Sequence, residues 1–398
     1  MRIYRIKSII LLNAILFCLI FSSCKEKEVQ SDSQITTENK SEMTTIESEG
    51  SVTADFFPLN PEKVFYYLGY KDGKVLYAQC ESTGLEGDTV SYWLQSAESD
   101  PLLVERRSDY FISRGYAVYQ SPYICFSITV RSQDPNLYYG ENILLRYDEG
   151  KKKCTEYKAK EVSDAVSCYS LGNKVFMLKR TSDSNSHSIS YLEVFNPVTE
   201  DVKKYHTYSV GYSDKQDGNK EWLAACSDQN GVKGIYIKYA DSDDFTDCPV
   251  FLMDMDSDFR ETASYQLDDD LKTYLLEYGA ISDMVSFDNY VYIRNSSSQG
   301  CLLKIEDGKL TELFRGAEFF ICRTMDDSAP LFYTWGTNQV YRINNKDVLE
   351  RIDLSTAENR KIRVMFADKD SCFVECMGSD KNHTYVFSRN DLEKIALP

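Results

Sequence analysis

A hairpin unit recurs along almost the whole chain, and it limits the fold more than any other feature. The unit reads as an apolar strand ending near Asp, Asn or Glu, a polar turn, and then a short amphipathic strand. It is clearest at 144–157 (LLRYDEGKKKCTEY), 191–205 (YLEVFNPVTEDVKKY) and 301–314 (CLLKIEDGKLTELF). The segments 340–352 and 385–397 have the same form, and 92–107 and 250–267 are looser copies. Anchored at Gln95, Asp148, Asn196, Asp256, Glu306, Asn344 and Asn390, the seven copies are six intervals apart, with a mean period of about 49 residues.

Runs rich in Val, Tyr, Phe and Ile precede several copies, at 72–78, 172–178, 288–294 and 329–335. Bounded by Gly, Asn and Asp turns, these read as strands. They supply an inner pair of strands for each repeat, with the recurring hairpin outside. A period of 40–50 residues with four short strands per repeat marks a β-propeller. Each such sheet has two apolar faces, and a closed ring covers them all. The expectation is therefore an all-β chain, a β-propeller of about seven four-stranded blades, with six or eight fitting the same length. A β-sandwich array or irregular solenoid is the competing architecture. The pattern resembles the degenerate propeller domains of bacterial surface lipoproteins, without a Trp-Asp repeat ending, a kelch diglycine or an Asp-box. The nearest approach to an Asp-box, 213–222, has the wrong spacing.

The N-terminus points to a compartment. Arg2, Arg5 and Lys7 precede an apolar run over 9–21 that only Asn13 interrupts. That is a charged region followed by a hydrophobic stretch of signal-peptide length. It is shorter than the ~20 residues of a membrane-spanning helix. The run closes on Phe21-Ser22-Ser23-Cys24, which resembles the lipobox of bacterial lipoproteins. The resemblance implies cleavage after residue 23, a diacylglyceryl thioether on Cys24 and attachment to a bacterial membrane outside the cytoplasm. Two acyl chains suffice for stable anchoring, at ~0.8 kcal/mol per buried CH₂. Residues 24–55 then form the lipidated cysteine and a polar tether, and 56–398 the propeller. The tether is too poor in apolar residues to offset its ordering entropy, and a flexible chain of its length reaches ~30 Å.

The formal net charge is −17, and losing Arg2, Arg5 and Lys7 with the signal leaves −20 on the side chains. Nucleic-acid binding rests on Lys and Arg neutralising phosphates, so no nucleic-acid partner is expected. The expected partners are the membrane, through the lipid, and a glycan or protein ligand, with the chain itself a monomer.

Motifs for chemistry are scarce. His187, His206 and His383 sit in polar surroundings that read as loops or strand ends, without paired metal-ligand spacing. No G-x-S-x-G elbow supports a hydrolase. Asp254, Asp256 and Asp258 alternate, but an EF-hand count from Asp254 puts Phe259 and Tyr265 where Gly and Glu belong. Met253 and Met255 between them suit a half-buried strand. The runs 241–244 and 268–270 read as solvated loops. Of twelve cysteines, Cys18 leaves with the signal and Cys24 carries lipid. Several others, such as Cys125, Cys322, Cys372 and Cys376, lie in apolar runs where a free thiol behaves as a small hydrophobe. No metal, no cofactor and no catalytic residue is expected. Trp222 and Trp335 are the candidate ligand-binding residues, as aromatic platforms.

Together these features imply a membrane-anchored exported lipoprotein that binds a glycan, a peptide or an envelope protein. The alternatives are a scaffold in envelope assembly and a carbohydrate-active enzyme built on a propeller, whose carboxylate pair only a structure locates.

Overall fold

A computed structural model describes residues 64–389, apart from 83–87, 97–98, 109, 112–115, 132–138, 158–163, 183–186, 212–218, 241–246, 277–280, 296, 298, 317–318, 325–329, 338, 345, 354–360 and 378–381. The segments read as a signal peptide and a tether, and Cys24 between them, lie outside the described residues. So do 213–218 of the Asp-box-like segment, the acidic run 241–244 and Asn390.

The described chain forms a seven-bladed β-propeller. Blade 1 contains β1 (Val64–Lys71), β2 (Lys74–Ser82), β3 (Asp88–Ser96) and β4 (Leu102–Ser108). Blade 2 contains β5 (Tyr110–Phe111), β6 (Val118–Gln120), β7 (Tyr123–Arg131), β8 (Tyr139–Asp148) and β9 (Lys153–Tyr157). Blade 3 runs through β10 (Asp164–Leu171), β11 (Lys174–Ser182), β12 (His187–Phe195) and β13 (Val202–Gly211). Blade 4 has β14 (Lys220–Asp228), β15 (Gly231–Lys238), β16 (Val250–Asp256) and β17 (Glu261–Gln266). Helix α1 (Asp269–Leu276) leads into blade 5: β18 (Ile281–Phe287), β19 (Tyr290–Asn295), β20 (Gly300–Glu306) and β21 (Lys309–Gly316). In blade 6, β22 (Phe319–Ile321) is followed by β23 (Arg323–Thr324), β24 (Phe332–Thr334), β25 (Gln339–Ile343) and β26 (Leu349–Asp353). Blade 7 holds β27 (Lys361–Ala367), β28 (Ser371–Met377) and β29 (Asn382–Ser388), with β23 paired parallel to its inner edge.

The recurring hairpin is the outer half of the blade. Six of the seven copies coincide with the third and fourth strands, and the seventh begins on β29. The anchor residues hold the turns. Asn196 Oδ1 accepts from the Val198 amide at 2.9 Å, and Asn344 Oδ1 from Lys346 and Val348 at 2.9 and 3.1 Å. Asp256 Oδ1 accepts from the Asp258 and Arg260 amides, both at 2.9 Å, and Asp148 Oδ1 from Lys151 at 3.0 Å. Short side chains that mimic a backbone turn are the physical reason for Asp or Asn at this place. After Glu306 a different device serves: Asp307 and Gly308 take φ of 50° and 72°, the left-handed pair of a tight hairpin.

The inner half of each blade agrees with the sequence expectation as well. The runs at 72–78, 172–178, 288–294 and 329–335 coincide with β2, β11, β19 and β24, which are second strands, and the strand before each turn faces the axis. These innermost strands are irregular. Pairing with the second strand shifts register between Tyr67 and Gly69, Ala165 and Cys168, Trp222 and Ala224, Ile281 and Asp283, and Ile362 and Val364. A bulge inserts a residue and breaks the period-two alternation on which strand reading depends. In blade 2 the innermost strand is split into β5 and β6, which both pair with β7. In blade 6 it is split into β22, which pairs with β24, and β23, which crosses to blade 7.

Helix α1 corrects one expectation, since Asp268–Asp270 start a helix and are not a free loop. Asp268 Oδ1 accepts the Leu271 amide at 2.8 Å, a helix cap, and Leu271 and Leu275 are buried. His187, His206 and His383 all fall on strands. No disulfide joins the described cysteines, and eight of them are buried. Burial pushes the thiols of Cys154, Cys226 and Cys372 up to about 12 and that of Cys168 to about 11. They are protonated, unreactive packing groups.

Blades 1 and 7 meet through side chains. The Tyr70 hydroxyl and Ser371 Oγ are 2.5 Å apart, and the Asp72 amide donates to Asp368 Oδ2 at 2.8 Å. Tyr67 and Tyr70 pack on Phe373, with ring centroids 5.1 and 5.9 Å away.

Candidate functional site

The ends of the innermost strands converge on an axial pocket of about 230 Å³. Its rim carries Lys71 at the end of β1, Gln120 at the end of β6, and Ser170 and Gly172 at the end of β10. Asp228 ends β14 and Gln229 follows it, and Asp288 follows β18. Tyr116, Tyr169 and Arg323 lie on the wall. Five consecutive blades therefore contribute one strand end each, and β23 adds Arg323 and Thr324.

The wall depends on the two split strands. Tyr116 comes from the excursion between β5 and β6, and Arg323 from the crossing segment between β22 and β24. Arg323 is 7% exposed, and its guanidinium is paired with Asp283 on β18. It also lies 3.7 Å from the centroid of the Tyr116 ring and 5.1 Å from that of Tyr169. Burial works against its charge, but Asp283, Tyr169 and Tyr116 together more than offset that and hold the guanidinium charged. Burial likewise raises the Tyr116 and Tyr169 phenols, so both stay neutral. A buried charge needs a partner and a polarisable surface, and this cluster provides both at the axis.

Most of the polar groups on the rim are already engaged. Gln120 Nε2 donates to Ser170 Oγ at 2.7 Å and to the Gly172 carbonyl at 2.9 Å, tying blade 2 to blade 3. Ser227 Oγ donates to the Ser170 carbonyl at 2.7 Å and ties blade 4 to blade 3. Asp228 Oδ1 accepts the Asn230 amide at 2.8 Å, and Oδ2 lies 3.3 Å from the buried Lys233 ammonium. These bonds pre-form the rim, so a ligand meets a shape that costs little to organise.

Neither tryptophan belongs to this pocket. Trp222 is 0% exposed: its ring packs on Tyr208 at 5.2 Å and Tyr236 at 5.7 Å, and its Nε1 donates to the His206 carbonyl at 2.9 Å. An enclosed ring presents no face to a ligand, and its role is to pack blade 4 against blade 3. Trp335 is 43% exposed, with its ring 5.8 Å from Phe320. It follows β24, which runs antiparallel to β22, so it sits on the opposite face from the pocket mouth.

Among the described residues, no cluster of three or more His, Cys, Asp or Glu has the geometry to hold a metal ion. Asp254 Oδ1 lies 3.8 Å from Lys233, and Met253 and Met255 are buried, so Asp254 and Asp256 form the polar side of a half-buried strand, with Asp258 in the turn after it. No described helix is long and apolar enough to cross a membrane.

No family model and no curated protein matches the chain. Solved structures do resemble it. The β-propeller domain of the Trilobed protease from Pyrococcus furiosus is 9% identical, with a TM-score of 0.43 over 70% of this chain and 81% of that one. An acylaminoacyl peptidase is 8% identical, with a TM-score of 0.49 over 82% of this chain and 51% of its own. A putative 6-phosphogluconolactonase from Bacteroides fragilis is 8% identical, with a TM-score of 0.44 over 84% of this chain and 92% of that one. The chain thus spans about half the length of that peptidase. At such identities the likeness concerns the fold, and fold does not carry function.

The sequence pointed to none of the pocket residues. Lys71, Gln120, Asp228 and Asp288 are ordinary turn-flanking residues, and Arg323 stands among apolar neighbours. The one available signal was Arg323 itself, a charge directly after the apolar run 319–322.

Proposed function

We propose that the protein is an exported lipoprotein, anchored through Cys24, whose propeller binds a small ligand in the axial pocket. The observation that carries the binding reading is the pocket itself. Five strand ends and β23 surround one concave site with aromatic walls and a polar rim, the composition of a small-molecule site. Its volume is below the roughly 300–1,000 Å³ of drug-sized sites. The ligand is therefore a single small unit, such as one sugar or one amino-acid residue, and not a long chain. A rigid scaffold that presents turns around an axis is a common way to build such a site.

Two experiments test the reading. Substituting Cys24→Ala moves the protein from the membrane fraction to the soluble extract if Cys24 carries the anchor; an unchanged membrane fraction refutes the anchor. A thermal-shift screen of the full chain against small metabolites gives stabilising hits that Gln229→Trp, which fills the mouth, abolishes. Hits that survive Gln229→Trp place the binding elsewhere and overturn the pocket assignment.

A further inference from the structure

Charge pairing around the axial pocket leaves an unbalanced remainder that names a ligand class. Among the described residues, four charged side chains line the pocket: Lys71, Asp228, Asp288 and Arg323. Two of them are consumed internally. Arg323 is paired with Asp283 and stacked on two tyrosines. Asp228 is satisfied by Lys233 and by the amides of its own turn.

The other two have no ion-pair partner among the described residues. Lys71 lies at the end of β1 in blade 1, and Asp288 on the turn after β18 in blade 5. No ion pair joins them to each other either, and they come from different blades. The pocket mouth thus offers one ammonium and one carboxylate at separate points. Between them lie neutral amides and hydroxyls, and Tyr116 and Tyr169 line the wall.

We infer that the pocket takes a zwitterionic α-amino acid with an apolar side chain. Its carboxylate meets Lys71, its ammonium meets Asp288, and its side chain rests on the aromatic wall. This inference rests on the pocket reading above. A neutral sugar would give both rim groups hydroxyl hydrogen bonds but no opposite charge, whereas a simple anion would satisfy Lys71 and be repelled by Asp288. A zwitterion complements both, and it enters a strongly acidic protein without net charge repulsion.

The test is calorimetric titration of the full chain with phenylalanine, phenylalanine amide and N-acetyl-phenylalanine. The amide lacks the carboxylate and the N-acetyl compound lacks the ammonium. Phenylalanine binds, and each derivative binds roughly 10- to 100-fold more weakly, the range for one charge-assisted hydrogen bond. In Lys71→Met the amide and the parent become equal while the N-acetyl penalty persists. In Asp288→Asn the pattern reverses. Both residues are on the rim, so unchanged melting temperatures of the variants verify the fold.

Equal affinity of the three compounds for the unaltered chain overturns the inference without any variant. So does a Lys71→Met chain that still discriminates against the amide. If no amino acid binds but a neutral sugar binds and Gln229→Trp abolishes it, the zwitterion assignment fails and the pocket reading survives. If no compound binds at all, both fail.

Discussion

The outer hairpins and the innermost strands of the blades are built on opposite principles. The outer hairpins repeat: an apolar third strand, an Asp or Asn that closes the turn on backbone amides, and an amphipathic fourth strand. Their job is local, so each copy carries its own instructions. The innermost strands depart from regularity in every blade. Five are bulged against their neighbours, and those of blades 2 and 6 are split. Seven strands crowding one axis have to bend, and the two split strands place Tyr116 and Arg323 there. Four outer hairpins, β3/β4, β12/β13, β16/β17 and β20/β21, also shift register, so what sets the axis apart is the two split strands and the pocket that five blades line.

That comparison predicts a gradient of mutational cost from the axis outward. The largest effect is expected at Arg323. Arg323→Met leaves Asp283 buried without its partner and should cost about 3–5 kcal/mol in urea unfolding. Adding Asp283→Asn should return much of that loss. A single Arg323→Met that costs under about 1 kcal/mol would break the claim that the axis is electrostatically clamped. Trp222→Ala, on the bulged β14, should cost a comparable 3–5 kcal/mol, whereas Trp335→Ala on the exposed face should stay within about 0.5 kcal/mol. Gly234→Ala should also destabilise blade 4, because a Cβ there collides with the Trp222 ring.

The periphery should respond less. Asn344→Ala removes the acceptor for two turn amides and should cost about 1 kcal/mol in the same assay. Arg342→Ala, which breaks an exposed pair with Glu350 at 3.2 Å, should cost between about 0 and 1 kcal/mol. The smallest expected effect is a pH slope at Asp347. The Lys304 ammonium, and then the Tyr290 hydroxyl, hold its carboxyl below the usual carboxylate range. A lowered carboxyl contributes stability above its unfolded pKa of about 3.9 and loses it as pH falls through the lower folded value. The melting temperature should therefore decline across that acid range, and Asp347→Asn should flatten the decline.

The same contrast explains how much was legible beforehand. The outer hairpins could be read because Asp148, Asn196, Asp256 and Asn344 each solve a turn within a few residues of themselves. Burial of Cys125, Cys322, Cys372 and Cys376 followed from their apolar neighbours. The second strands β2, β11, β19 and β24 were recognised as inner strands, whereas the bulged or split innermost strands before them were not picked out one by one. Trp222 was open to two readings, sheet packing or ligand platform, and only the fold shows its ring packed on Tyr208 and Tyr236 from separate strands.

What the sequence determined by itself is the architecture: a repeat near 49 residues, turn chemistry that recurs with it, and blade faces that only a ring covers. These are local properties, encoded within each unit. The tertiary structure alone decided which residues share the axis. Lys71, Tyr116, Tyr169, Asp228, Asp288 and Arg323 come from six different strands or connections spread over more than 250 residues. No local signal links them, because their proximity arises from closing the ring and from where its innermost strands are forced to bend.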